Sequence, residues 1–260
     1  GVEGVVRNIQ VDYENPDLLF LGTELGLFIT IDGGAQWYKY TNNMPAVAVH
    51  FIALQKQTND LVLGTHGRGV IIVDDISPLR ELTAENMQKK LHFFNTKPTI
   101  IDEEASFSGS FGAETQFVGY NETTAAQIKY HLKKRHTFGK MSMLILDEKG
   151  DTISELGPGK SKGINIVNWN YNMKQPKVAK GKTFSFGGFT TPTLPAGEYT
   201  VRITKGKDVF EQPLVLAYNP KSIISTSDRK SKKEAVMSMY NMIESLSLIH
   251  ISEPTRLWTI

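Results

Sequence analysis

The 260 residues carry 29 Lys and Arg against 27 Asp and Glu, a net charge of +2, with 40% apolar side chains and no cysteine. That length holds one large or two ordinary domains of roughly 100–200 residues, and the near-neutral balance leaves no footprint for nucleic acid or an anionic membrane. No window reaches the ~20 apolar residues of a membrane helix, and without cysteine neither disulfides nor thiolate metal sites can form.

The first elements repeat. Leu19-Phe20-Leu21-Gly22-Thr23 is echoed by Leu61-Val62-Leu63-Gly64-Thr65, 42 positions on, and Gly26-Leu27-Phe28-Ile29 by Gly69-Val70-Ile71-Ile72, 43 positions on. Upstream, Ile9-Gln10-Val11 matches Ile52-Ala53-Leu54. Each unit reads strand, polar turn, strand, glycine turn, strand. The turns Asn15-Pro16-Asp17 and Thr58-Asn59-Asp60 place Pro and Asn where a ladder does not need their amides. Periods of ~40–45 residues with several short strands predict β-propeller blades, of which a ring needs about four to eight. The chain opens Gly1-Val2-Glu3-Gly4, without Met, and enters strand-like sequence at once. The expectation is therefore one to two terminal blades over residues 1–76, with the opening cut inside the ring.

Thr30-Ile31-Asp32-Gly33-Gly34-Ala35-Gln36-Trp37 resembles the Asp-box, or BNR repeat, S/T-x-D-x-G-x-x-W. Its physical logic is a tight hairpin. Asp32 accepts from turn amides, Gly34 takes positive φ, and Trp37 folds back on the apolar side. In sialidases, sortilins and other propellers the Asp-box lies away from the central site. The resemblance thus implies a structural role for Thr30, Asp32, Gly34 and Trp37. The loop Thr65-His66-Gly67-Arg68-Gly69 offers a His and an Arg between glycines, able to face a central funnel and hold an anionic or sugar group. The other reading is a plain turn whose Arg68 pairs with Asp74 or Asp75. Glu24, at the equivalent turn of the first repeat, carries the same two readings.

Residues 59–82, with Thr65-His66-Gly67-Arg68-Gly69 followed by Asp74-Asp75-Ile76-Ser77-Pro78-Leu79-Arg80, resemble the closing blade of large bacterial BNR-repeat proteins labelled glycosyl hydrolase or sortilin-type. The resemblance extends over about residues 1–245. It implies a secreted or periplasmic propeller followed by an immunoglobulin-like sandwich, with carbohydrate or peptide as ligand of the parent. A glycosidase needs two carboxylates roughly 5–10 Å apart. In the xyloglucanase-like relatives these stand on earlier blades, and no sialidase-type arginine triad is visible, so no catalytic residue carries over. No metal, cofactor or nucleic-acid partner is expected.

Residues 77–124 read as a connector: a short helix capped by Thr83, a strand at Leu91-His92-Phe93-Phe94, then a polar loop. Asp102-Glu103-Glu104 offers an acidic trio that either holds a divalent cation or is solvated. From Ala125 the period becomes two, with Ile128, Tyr130 and Leu132 opposite Lys129, His131 and Lys133. Hairpins at Asp147-Glu148-Lys149-Gly150 and Lys205-Gly206-Lys207, and a strand through Val167, Trp169 and Tyr171, predict an immunoglobulin- or fibronectin-like β-sandwich over residues 125–222. Lys133-Lys134-Arg135-His136 reads as a solvated strand end. Trp169 is read as a core anchor, with a sugar platform as the alternative. Loop 174–193 mixes Lys174, Lys177, Lys180 and Lys182 with Phe184, Phe186 and Phe189, suited to ligand binding or to packing on the sandwich.

Residues 223–245 carry Val236, Met239, Tyr240, Met242 and Ile243 at helical spacing. Residues 246–260 begin Leu246-Ser247-Leu248-Ile249-His250-Ile251-Ser252-Glu253-Pro254-Thr255-Arg256 and resemble a translated sequencing-library adapter. No role is assigned to His250 or Trp258. The expected class is all-β with a C-terminal helix. The function expected is that of an incomplete piece of a hydrolase-labelled propeller protein, without its own active site. A sortilin-like peptide-binding propeller and an adhesion or secretion-linked sandwich are the alternatives.

Overall fold

The computed structural model describes residues 1–103, 123–176 and 191–252, with side chains through residue 245. The chain is predominantly β, with one long helix near its end. It divides into two compact units, Gly1–Asn95 with His131–Lys133, and Thr96–Tyr130 with Lys134–Ile260.

In the first unit, β1 (Val6–Val11), β2 (Leu19–Thr23), β3 (Gly26–Thr30) and β4 (Tyr38–Lys39) form an antiparallel meander in chain order. Strands β5 (Val49–Gln55), β6 (Asp60–Thr65) and β7 (Val70–Val73) form a second one. The repeat extends to individual bonds. The first strand of each meander bulges at the same place, between Val6 and Asn8 and between Val49 and Phe51. Glu24 N donates to Val5 O and His66 N to Ala48 O, at 3.1 and 3.0 Å. Thr23 Oγ1 donates to Gly26 O at 3.1 Å, and Thr65 Oγ1 to Gly69 O at 2.7 Å. The two sequence shifts, 42 and then 43, have a local cause. Glu24-Leu25 bridges Thr23 to Gly26, whereas His66-Gly67-Arg68 bridges Thr65 to Gly69, one residue more.

The two meanders share a core. Phe20, Leu27 and Ile29 of the first pack with Val49, Ile52, Leu61 and Leu63 of the second. These core faces are not equivalent in the repeat. The partners of Phe20, Leu27 and Ile29 are Val62, Val70 and Ile72, which lie on the opposite side of the second sheet. Leu27 is 0% exposed, while Val70 and Ile72 are 65% and 57% exposed, and Phe51 beside them is 72% exposed. The sheets therefore stack front to back, and the second sheet's front stays open to solvent. Gly22 marks the closest approach, since a Cβ there would lie 2.6 Å from Val49 O.

Beyond β7 come α1 (Ser77–Arg80), α2 (Ala84–Gln88) and β8 (Leu91–Phe93). Pro78 sits in the first turn of α1, where its missing amide costs nothing. The Thr83 hydroxyl caps α2 by accepting from Asn86 N.

The second unit contains β9 (Thr99–Ile101), most of β10 (Ala126–Leu132), β11 (Met141–Leu146), β12 (Thr152–Leu156), β13 (Gly163–Trp169), β14 (Gly197–Lys205), β15 (Asp208–Tyr218) and α3 (Thr226–Ser252). Five strands align as β12-β11-β14-β15-β9, antiparallel except for the parallel β15–β9 pair, and β13 lies beside β10. Alternation selects the core, with Met141, Met143 and Ile145 on β11 and Tyr199, Val201 and Ile203 on β14 buried. Strand β10 departs from the two-faced pattern, because Lys129 and His131 are buried along with Ile128, Tyr130 and Leu132. Both faces of that strand are withdrawn from water, as in an interior strand. Trp169 is 3% exposed, donates Nε1–H to Asn172 O and meets Tyr199 edge-on. It anchors the core and offers no stacking platform. Helix α3 runs past residue 245, the end expected from its apolar spacing, to Ser252.

Candidate functional site

The hairpin between β3 and β4 is held by a compact local set of hydrogen bonds, with Gly33 N also donating to Asp17 O at 3.0 Å. The Thr30 hydroxyl donates to Asp32 Oδ1 at 2.6 Å and accepts from Gly34 N at 3.0 Å, while Asp32 Oδ1 also accepts from Gln36 N at 2.9 Å. Gly34 has φ +98°, and a Cβ there would face the Trp37 ring at 3.8 Å, so Trp37 lies folded over it. The Thr30 hydroxyl, helped by the turn amides, holds the Asp32 carboxyl below the usual carboxylate range. A carboxylate held charged by its own turn is a poor proton donor. Thr30, Asp32, Gly34 and Trp37 therefore serve one another.

Glu24, His66 and Arg68 occupy the repeat-equivalent hairpin loops after β2 and β6, as the matching amide bonds to Val5 and Ala48 show. Their surroundings differ. Glu24 is ion-paired with Arg7 across the neighbouring strand. His66 stacks on His50, ring centroids 5.4 Å apart and planes at 22°. Arg68 is exposed and forms no ion pair among the described residues, so it does not close onto Asp74 or Asp75. The two loops together hold a single carboxylate, Glu24, and it is neutralised. This loop pair can present a cation and a stacked imidazole pair to a ligand. It lacks the second carboxylate that glycoside cleavage requires.

Sequence patterning did not find the strongest charge cluster of the first unit. Arg80 of α1 makes a two-pronged bond to Asp12, Nε to Oδ2 and Nη2 to Oδ1, each 2.8 Å. It also reaches Asn59 Oδ1 at 3.0 Å and Glu14 at 2.8 Å, and lies over the Tyr13 ring at 4.7 Å. The Asp12 side chain is fully buried. Burial pushes its carboxyl up, but the Arg80 hydrogen bond and the Asn15 and Glu14 amides outweigh this and hold it low. Burial works against the Arg80 charge, but Asp12, with Tyr13 and Glu14, outweighs it and pushes the guanidinium further up. Asp12 and Arg80 stand 68 positions apart with no shared motif, so no local signal announces the pair. It ties both repeats to α1 and is structural.

In the second unit, Glu103 is engaged by side chains of its own unit. Arg229 grips it with Nε and Nη2 at 2.6 and 2.7 Å, and the Ser222 hydroxyl donates to it at 2.8 Å. These donors, Arg229 foremost, hold its carboxyl down at about 2. Among the described residues no group of three or more His, Cys, Asp or Glu is placed to hold a metal ion. Glu104, and Lys177, Lys180, Lys182, Phe184, Phe186 and Phe189 of the cation-aromatic loop, lie outside the described residues. Among the described residues no helix is long and apolar enough to cross a membrane.

Compared with known protein families, with characterised proteins and with solved structures, the chain matches none.

Proposed function

We propose that residues 1–76 are two neighbouring blades of a BNR-type β-propeller, followed by an immunoglobulin-like sandwich, in a secreted protein of the hydrolase-labelled kind that the sequence motifs resemble. One observation carries this reading. The front of the first sheet packs on the back of the second, and the same front on the second sheet, at Phe51, Val70 and Ile72, is apolar and open. Front-to-back contacts between like units do not saturate; they add units until a ring closes. In this reading the chain itself carries out no hydrolysis, and any ligand of the Glu24, His66 and Arg68 loops is held rather than cleaved. The test is an assay of the purified chain against aryl glycosides and β-glucan oligosaccharides. No turnover is expected, and glycosidase activity abolished by Glu24→Gln would overturn the reading.

A peptide-capturing, sortilin-like role is the second reading. It draws on the apolar strand surface at Phe51, Val70 and Ile72, which suits polypeptide better than sugar. Saturable binding of a hydrophobic peptide library, lost on Phe51→Lys and Ile72→Lys, would favour it over carbohydrate.

A further inference from the structure

The second unit encloses a cavity of about 320 Å³ between the end of its five-stranded sheet and the first turns of α3. That volume lies at the lower end of those that hold small ligands, roughly 300–1,000 Å³. The helix supplies Arg229, Lys232, Lys233, Val236 and Met237 to it, spaced three and four apart and hence on one face. From the sheet side come Ile153 and Tyr199, with Leu194 from the approach to β14. The depth is apolar and the mouth is charged.

The charges at the mouth are not equally available. Glu103 is held by Arg229 and Ser222. Asp147 is committed to its own turn, its Oδ1 accepting from Lys149 N and Asp151 N at 3.0 and 2.8 Å. Arg229 is committed in turn, to Glu103 and to the Tyr218 ring 4.0 Å away. Lys232 and Lys233 form no hydrogen bond or ion pair among the described residues, although Lys232 helps to hold the Glu103 carboxyl low. Glu103 and Asp147 are thus engaged within the protein, Asp102 also lines the hollow, and the two ammonium groups of Lys232 and Lys233 stand at its rim. An apolar tail gains by leaving water for the hollow. An anionic head gains more from the two ammonium groups than a neutral head does.

We infer that this cavity binds a small amphiphilic monocarboxylate, its tail against Leu194, Val236 and Met237 and its carboxylate at Lys232 and Lys233. This site does not depend on the ring reading of the first unit.

The probe is decanoate, titrated into the full chain by calorimetry and by amide chemical shifts. Saturable 1:1 binding is expected, with shifts centred on Ile153, Leu194, Tyr199 and Val236 of the unmutated protein. Decan-1-ol should bind at least tenfold more weakly. The double change Lys232→Gln and Lys233→Gln should weaken decanoate by tenfold or more, and Met237→Trp, which fills the hollow, should abolish binding while helicity is kept. Absence of saturable binding, shifts centred elsewhere, or equal affinity for decan-1-ol would each overturn the inference, and none of these depends on a variant folding.

Discussion

Gly22 and Gly64 hold the same place in the repeat but different neighbourhoods, and this separates backbone demand from packing demand. A Cβ at Gly22 meets the rigid Val49 carbonyl, whereas one at Gly64 meets Phe51 Cβ at 3.3 Å on an exposed face. Gly22→Ala is expected to destabilise the first unit by about 1–3 kcal/mol, and Gly64→Ala by less than half as much, measured by urea unfolding. Arg80 gives a second contrast. Its removal strands the buried Asp12 carboxylate, so Arg80→Met should cost about 3–5 kcal/mol. Arg202→Met removes a partner from the exposed pair with Glu211, 39% and 47% accessible, and should cost under about 1 kcal/mol. Because Asp12 is more acidic folded than unfolded, its contribution is complete above about pH 4 and is lost as pH falls through its lowered folded value. In an acid titration Arg80→Met should therefore show a shallower loss of stability than the parent.

The Asp-box hairpin and the helix α3 anchor test the elements. Thr30 is fully buried, and its hydroxyl both donates to Asp32 and accepts from Gly34 N. Thr30→Val keeps the shape, removes both bonds and leaves the Gly34 amide without its acceptor, so a loss of about 1–2 kcal/mol is expected. Increased amide exchange at Gly34 and Gln36 would locate the effect. The hairpin was legible in sequence because the bonds joining Thr30, Asp32, Gly34 and Gln36 lie within eight residues. The anchor of α3 was not. The spacing of Val236, Met239 and Tyr240 predicts a helix, but Glu103 and Arg229 are 126 positions apart, and an acidic trio in a polar loop reads equally as metal site or solvated face. Glu103→Gln is expected to speed amide exchange in the first turns of α3 with little effect on the first unit. Since the Glu103 carboxyl lies at about 2 when folded, the parent should keep this protection from neutral pH through pH 4. That protection should then weaken progressively as pH falls from about 4, near the ordinary carboxyl value, to about 2.

At the scale of the whole molecule, the open front of the second sheet is the feature with the largest consequence. Phe51, Val70 and Ile72 place large apolar side chains side by side in water, and such patches drive association. Self-association is therefore expected to rise with salt and protein concentration. Ile72→Lys should suppress it in sedimentation velocity without lowering the unfolding midpoint, because that side chain contributes little to the shared core. Unchanged association in Ile72→Lys would mean that another surface is responsible.

Local order in this protein is written locally. The 42- and 43-residue shifts identified the two meanders, the glycine turns placed their hairpins and those that follow β11 and β14, and alternation found the strand that carries Trp169. These follow from the sequence because strand period, turn stereochemistry and repeat spacing act over a few residues. Tertiary structure decided which face of each repeat is covered, since Leu27 and Val70 are alike in sequence and opposite in exposure. It also buried Lys129 and His131 on a strand whose pattern reads as half-solvated. The Asp12–Arg80 and Glu103–Arg229 pairs and the hollow beneath α3 were likewise its work. Each of these depends on which surfaces meet across long stretches of chain, and residue order alone does not state that.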